Sequence, residues 1–164
     1  MKIVAIIIVM VFLGSVQSPA QNDPANKTVF VELLGNGITY SFNYDTRFSN
    51  RPDGFGGRAG IGYISVDGVN LTSIPFVANY LLGKNGKYFE IGAGATFIAV
   101  SDRANTNASN NPINSASGWT GTMSFGYRSQ PVDGGFLFRA GITPIFTGEL
   151  FFPFWPQISF GYAF

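Results

Sequence analysis

Cysteine and histidine are both missing from the 164-residue sequence, and charged residues make up only 12% of it. Without cysteine the chain has no disulfide, no thiolate metal ligand and no cysteine nucleophile. Without histidine it lacks the commonest general base and the commonest metal ligand. A conventional Ser-His-Asp triad is therefore excluded. We expect a protein that is not an enzyme and that needs no cofactor and no metal.

A surplus of charge of either sign is also missing, because ten Lys and Arg face nine Asp and Glu. A nucleic-acid-binding domain would carry a basic surplus, so no nucleic-acid partner is expected. Aromatic residues reach 16%, which argues against a disordered chain. Soluble domains usually contain about 25% charged residues. The composition therefore indicates an ordered domain whose surface is unusually poor in charge.

A long apolar run occurs only at the start of the chain. Met1 and Lys2 precede an apolar stretch from Ile3 to Gly14, which is too short for a spanning helix of ~20 residues. Ser18-Pro19-Ala20 places small residues where a signal peptidase cleaves. We predict a signal peptide over residues 1–20, with an uncleaved anchor helix as the alternative. The mature chain, residues 21–164, is then one exported domain without a transmembrane helix.

Strict alternation of apolar and polar residues dominates the mature chain, most clearly from Ile38 to Asp45. A period of two places successive side chains on opposite faces of a strand. The pattern predicts an all-β fold of eight strands without helices, over residues 28–35, 37–48, 55–64, 71–82, 87–100, 118–129, 135–146 and 155–164. The fourth strand contains Pro75, which cannot donate to a sheet ladder. Short connections alternate with longer ones, except at the tight Gly35-Asn36-Gly37 turn, as is typical of an up-and-down transmembrane barrel.

The two faces of these strands differ in size and polarity. One face is aromatic and aliphatic, as in Tyr40, Phe42 and Tyr44, and the other carries small or polar residues such as Ser41 and Asn43. An eight-stranded barrel has an interior just wide enough for side chains, so large aromatics from nearly every strand would not fit inside it. The aromatic face is therefore predicted to meet lipid.

Seven charged residues fall on the face opposite the apolar set, and we predict that they form a polar network in the lumen: Glu32, Asp45, Arg47, Arg58, Glu90, Arg128 and Arg139. Acids and bases enclosed in a narrow lumen can pair with one another. Two interpretations follow, a gated passage whose ion pairs open and close, or a static polar core that fills the barrel. A catalytic carboxylate pair of Glu32 and Glu90 is disfavoured, because lumen arginines would hold both ionised.

The chain ends in Ser159-Phe160-Gly161-Tyr162-Ala163-Phe164, which resembles the last strand of bacterial outer-membrane proteins. The mature chain is similar as a whole to the small eight-stranded OmpA/OmpX-like barrels. Glu32-Leu33-Leu34-Gly35 and Asp133-Gly134-Gly135-Phe136 resemble uncharacterised outer-membrane proteins of Bacteroidetes. The resemblance implies a monomer in the bacterial outer membrane. Its expected partners are membrane lipid, lipopolysaccharide and the barrel assembly machinery, which would read Phe164.

The function expected from these features is a non-enzymatic outer-membrane barrel with a structural role or a binding or adhesion role in its surface loops. A narrow channel or small-solute transporter is one alternative, and a soluble lipid-carrying barrel is another. The longest connection, residues 101–117, is rich in Asn and Ser. Its spacing gives no support for a calcium or glycan site there.

Overall fold

The computed structural model describes residues 24–102 and 115–164. The predicted signal peptide and most of the long 101–117 connection lie outside these described residues. In the described part of the chain, no helix is long and apolar enough to cross a membrane.

Strands make up nearly the whole described chain. They are β1 (Lys27–Leu34), β2 (Tyr40–Arg47), β3 (Gly54–Val66), β4 (Val69–Lys84), β5 (Lys87–Asp102), β6 (Ser115–Ser129), β7 (Gly135–Ile142), β8 (Ile145–Phe146), β9 (Phe151–Phe152) and β10 (Pro156–Ala163). One 3-10 turn, Gly35–Gly37, follows β1.

Eight of these strands close into one antiparallel barrel. Each strand from β1 to β6 pairs with the next, β7 also pairs with β10, and β10 pairs with β1. Closure leaves no free sheet edge around the barrel. The short β8–β9 hairpin pairs with β6 beside the ring. The predicted fold class, an eight-stranded antiparallel up-and-down barrel, is confirmed.

The two ends of the barrel differ. The lower end, as we call it, carries the turns 48–53, 85–86 and 130–134 together with both ends of the described chain. There Lys27 and Phe164 exchange two backbone hydrogen bonds, of 3.1 and 2.9 Å. The upper end carries the Gly35–Gly37 turn, the Asp67-Gly68 turn and the β8–β9 hairpin. Its connections are not uniformly long, because two of them are tight turns.

The bounds of the predicted strands shift by a few residues, and two strands differ from the prediction at a proline. The fourth strand runs through Pro75 as a 16-residue element, and Pro75 pairs with Thr96 on β5, while pairing with β3 is interrupted opposite Ile74 and Pro75. The missing N–H of Pro75 therefore interrupts the pairing of β4 with β3 but not its pairing with β5. The seventh predicted strand ends early at Ile142. Pro144 cannot donate there, and the chain resumes as β8 with Met123 N–H donating to the Pro144 carbonyl at 2.9 Å.

Candidate functional site

All seven predicted lumen residues point into the barrel. Alternation along each strand turns them inward, and none of them is more than 5% exposed. They come from six strands: Glu32 from β1, Asp45 and Arg47 from β2, Arg58 from β3, Glu90 from β5, Arg128 from β6 and Arg139 from β7. The structure therefore brings together, across the barrel, residues that are far apart in the sequence.

Arg139 is the centre of this polar network. Its guanidinium donates to Glu90 Oε1 at 2.6 Å and to Glu32 Oε2 at 3.0 Å. Arg58 donates to the same Glu32 oxygen at 2.9 Å. Glu32 and Glu90 are thus joined through a shared cation, and the arrangement leaves no free carboxyl group between them. Each of the two carboxylates therefore accepts charge-assisted hydrogen bonds from arginine.

A second group of ion pairs lies toward the lower end. Asp45 accepts from Arg47 at 2.6 Å and from Arg128 at 3.1 Å. Arg128 also reaches Glu90 at 3.4 Å, which links the two groups of ion pairs. Arg128 Nε donates to Gln130 at 2.9 Å, and Gln130 in turn donates to the Ala25 carbonyl at 2.8 Å. The network is therefore continuous from Glu32 to the chain segment at the lower end.

The Phe30 side chain lies inside the barrel, contrary to the simple division of the faces. Phe30 is 4% exposed, with the guanidinium of Arg139 4.7 Å and that of Arg58 5.7 Å from its ring centroid. The π face of the ring is a favourable neighbour for these cations. Four arginines and three acids occupy the network, so this contact stabilises positive charge that carboxylates do not match. Tyr88, also on the inward face, is likewise buried.

The Gly35–Gly37 turn folds into the upper end of the lumen, and all three of its residues are buried. Its backbone takes positive φ at Leu34, Gly35 and Ile38. A Cβ atom at Gly35 would lie 2.6 Å from the Glu32 carboxyl carbon, so only glycine fits there. The sequence predicted a tight turn here, and the structure shows that this turn folds inward as a plug.

Asn36 fixes this plug to four strands. Its backbone N–H donates to Glu32 at 2.9 Å, and its side-chain amide donates to Thr122 at 2.8 Å. Its side-chain oxygen accepts from Ser124 at 2.9 Å and from Arg58, and its carbonyl accepts from Thr96 at 2.7 Å. Sequence reasoning missed this residue. Its signal was weak, because Gly-Asn-Gly is equally suited to an exposed turn.

The outer surface of the barrel is aromatic and aliphatic. Phe42, Phe55, Phe136 and Trp119 are each more than half exposed. Aromatic pairs cross neighbouring strands near both ends, with ring centroids 4.6 Å apart for Phe55–Tyr80 and 5.4 Å apart for Phe97–Trp119. Large exposed apolar patches mark interaction with membranes or other proteins. The barrel is therefore the reverse of a soluble one, with ion pairs inside and aromatic rings outside.

Three further features complete the site. Phe164, predicted to be an assembly signal, is partly exposed and pairs with Lys27 beside the closing strands. Residues 24–102 and 115–164 contain no group of three His, Cys, Asp or Glu residues that could hold a metal ion. Asn107-Ala108-Ser109, a match to the glycosylation sequon within the 101–117 connection, lies outside the described residues.

Fold and site together define a closed eight-stranded antiparallel barrel with a filled, ion-paired interior. The chain is similar in structure to the N-terminal β-barrel domain of Pseudomonas aeruginosa OprF, known from a crystal structure. The TM-score is 0.59 and the identity 12%, and the alignment covers 87% of this chain and 98% of the OprF domain. No protein-family model and no curated protein matches the sequence. The similarity to the OprF domain shows the fold alone.

Proposed function

We propose that the mature chain is an integral protein of the bacterial outer membrane that conducts no solute and catalyses no reaction. It would act as a structural barrel that holds its upper-end loops at the cell surface for binding or adhesion. The single observation that carries this proposal is the reversed polarity, with buried ion pairs inside and exposed aromatic residues outside.

The outer face supports membrane placement on energetic grounds. In water, side chains such as Phe76, Phe89 and Phe160 would remain exposed, at a cost of about 25 cal/mol for each Å² of apolar area. A bilayer removes that cost, and the closed ring leaves no unpaired strand edge facing lipid. The same reasoning disfavours a soluble lipid-carrying barrel, because such a protein encloses apolar residues and here the interior is charged.

The interior supports a static core over a gated passage. Arg139, Arg58 and Asn36 fill the centre and upper part of the lumen, and each contacts at least two other buried side chains. Opening a passage would require breaking several charge-assisted hydrogen bonds at once. For a protein in this membrane we propose lipopolysaccharide and the barrel assembly machinery as partners. The proposed functional unit is a monomer.

Reconstitution tests the proposal in two steps. The mature protein should extract only with detergent and should migrate faster unboiled than boiled on a denaturing gel. Recovery in the soluble periplasm without that shift would contradict membrane placement. In planar bilayers the folded protein should then show no conductance above that of protein-free membranes. Reproducible unitary currents would instead establish the narrow channel.

A further inference from the structure

The barrel wall is much higher on one side than on the other. Strands β3, β4, β5 and β6 contain 13, 16, 16 and 15 residues, whereas β1, β2, β7 and β10 contain 8 each. Because the strands meet in short turns at the lower end, the extra length of β3–β6 projects beyond the upper end. Half of the barrel thus continues upward as a curved four-stranded wall.

The polarity of the two faces inverts along this projecting wall. Up to the level of Trp119 the large outward side chains are aromatic or aliphatic. Beyond it one outward aromatic remains among the described residues, Tyr63, whose hydroxyl donates to Asn70 at 2.9 Å. The other outward side chains there are small or polar: Ser65, Asn70, Thr72, Ala99, Ser101 and Ser117. The inward side chains change in the opposite sense, from Arg, Asn and Thr to a contiguous aliphatic group: Ile64, Val66, Val69, Leu71, Ile98 and Val100. Residues that pair directly across two strands share a face of the sheet. Leu71 pairs with Ile64 on β3 and with Val100 on β5, so these three side chains lie side by side.

The inversion separates two environments. An aromatic face that ends in Trp119 and Tyr63 is typical of a membrane boundary, where tryptophan and tyrosine are enriched. Above that level, a polar outer face and an apolar inner face form the pattern of a sheet in water that covers something apolar. Among the described residues this cover is incomplete. Val66 and Val69, beside the hairpin tip, are 57% and 39% exposed, and the other four aliphatic residues of the group are half-buried.

The opposite side of this opening is also apolar. Ile145 on β8 is buried and pairs with Phe152 on β9, so both lie on the inner face of the hairpin. The backbone carbonyl of Trp155 accepts a hydrogen bond of 2.6 Å from the N–H of Thr143, whose side chain is buried. Its buried indole N–H has no partner among the described residues. We call the six aliphatic residues of the wall, with Ile145, Phe152 and Trp155, the upper mouth. The Asn36 plug is its polar floor.

We propose that the upper mouth binds the acyl chain of an amphiphile drawn from the adjacent membrane leaflet. This inference rests on the proposed membrane placement. The choice of occupant rests on continuity with the lipid-facing surface. The hairpin is apolar on both faces, with Phe146 and Phe151 stacked on the outer face at 6.0 Å between centroids and Phe152 on the inner face.

The low wall offers a second continuous path. Leu33 and Leu34, at the top of β1, are both exposed where the wall is lowest. A chain that enters from the leaflet over β1 or around the hairpin would therefore first contact apolar side chains. A second copy of the barrel would present a convex wall that does not fit a concave mouth. The polar floor stops the chain above the ion pairs, so the site binds an amphiphile and does not transport it.

The two tryptophans of the sequence allow a direct test, because Trp155 lies in the mouth and Trp119 lies on the lipid face. The probe is a ten-carbon fatty acid brominated at its chain end, titrated against protein in dioleoylphosphatidylcholine vesicles. With Trp119→Phe, the remaining Trp155 should be quenched saturably. With Trp155→Phe, the remaining Trp119 should be quenched in simple proportion to partitioning. Proportional quenching in both proteins overturns the inference.

Neighbouring residues on β4 provide the matched variants. In the Trp119→Phe background, Leu71→Gln removes an aliphatic group from the mouth, and Thr72→Gln alters the outward face. Because one aliphatic contact with the probe is lost, Leu71→Gln should raise the half-saturating concentration of the fatty acid about tenfold. Thr72→Gln should leave this concentration unchanged. Equal effects of Leu71→Gln and Thr72→Gln would overturn the acyl-chain assignment. Saturable binding of an apolar decapeptide, without saturable binding of the fatty acid, would also overturn it.

A third measurement separates this inference from the membrane placement on which it rests. Vesicles made with phospholipid brominated in its own acyl chains should quench Trp119 whether or not the mouth binds anything. Quenching of Trp119 together with non-saturable Trp155 overturns the inference and leaves the proposed placement intact. Absence of Trp119 quenching in the folded protein contradicts the placement itself.

Discussion

At the scale of single residues, the interior is stabilised by shared partners and not by isolated ion pairs. Arg139 contacts both Glu32 and Glu90, and Glu90 also contacts Arg128. A buried charge is tolerated only when it is paired and hydrogen-bonded. Removing one shared partner therefore leaves several buried charges uncompensated, whereas an exposed pair such as Arg51–Asp53 has solvent to replace its partner.

Arg139→Ala should lower the free energy of unfolding in lipid vesicles by about 3–5 kcal/mol, because it leaves two buried carboxylates without their common cation. Arg51→Ala, which breaks an exposed pair, should change it by less than about 1 kcal/mol. Urea titration of heat-modifiable migration measures both values. Adding Glu90→Gln to Arg139→Ala should restore part of the loss. Similar values for the two single variants would mean that the network does not stabilise the barrel.

Phe160→Arg and Ser159→Arg compare the two faces at adjacent positions. Phe160 is exposed on the outer surface, while Ser159 is fully buried and accepts from Arg139 at 3.1 Å. Arg on the lipid face should cost about 2–4 kcal/mol near the midplane, so Phe160→Arg should destabilise the protein more in bilayers than in micelles.

Ser159→Arg should destabilise the protein equally in both media, because it crowds the core beside Arg139. Unfolding titrations in vesicles and in detergent measure the difference. A bilayer-specific loss for Ser159→Arg alone would show that the two faces are reversed.

At the scale of elements, the sequence predicted most strands but not what their connections do. Alternation identified every barrel strand, because both faces of each strand have a definite polarity. The turns were harder. Asp67-Gly68 is a strong two-residue hairpin signal, yet the predicted connection spanned residues 65–70, which shortened β3 and β4 and concealed the projecting wall. The inward course of Gly35–Gly37 depends on partners such as Thr96 and Ser124, which local sequence does not show.

The plug makes Asn36 the turn residue whose loss matters most. Asn36→Ala removes the acceptor of Arg58 and Ser124 and the donor to Thr122. Leaving those buried groups unsatisfied should cost about 1–3 kcal/mol of unfolding free energy. Asn50→Ala, in an exposed turn at the lower end, should change it by no more than about 0.5 kcal/mol. Equal stability of the two variants in vesicles would contradict the plug.

At the scale of the whole molecule, closure of the ring depends on the last strand meeting the first. β10 pairs with β1 from Gln157 to Ala163, and the two backbone bonds between Phe164 and Lys27 add the final rung at the lower end. Long-range pairing of chain ends is entropically costly and forms only when the intervening strands are in place. The backbone of Phe164 therefore has a role in closure, which can be separated from any role of its ring in recognition.

Deleting Phe164 should lower the yield of folded barrel both in cells and during refolding into vesicles, because it removes the closing rung and leaves strand ends unpaired. Phe164→Ala keeps the backbone rung and removes only the ring. It should therefore refold into vesicles almost normally, yet reach the membrane poorly in cells if the assembly machinery reads the aromatic side chain. Heat-modifiable migration measures folding in both settings, and precursor accumulation checks that export is unaffected. Normal amounts of folded protein in cell membranes for both variants would rule out Phe164 as an assembly signal. Normal refolding of the deletion variant into vesicles would show that the barrel closes without the backbone pair of Phe164 and Lys27.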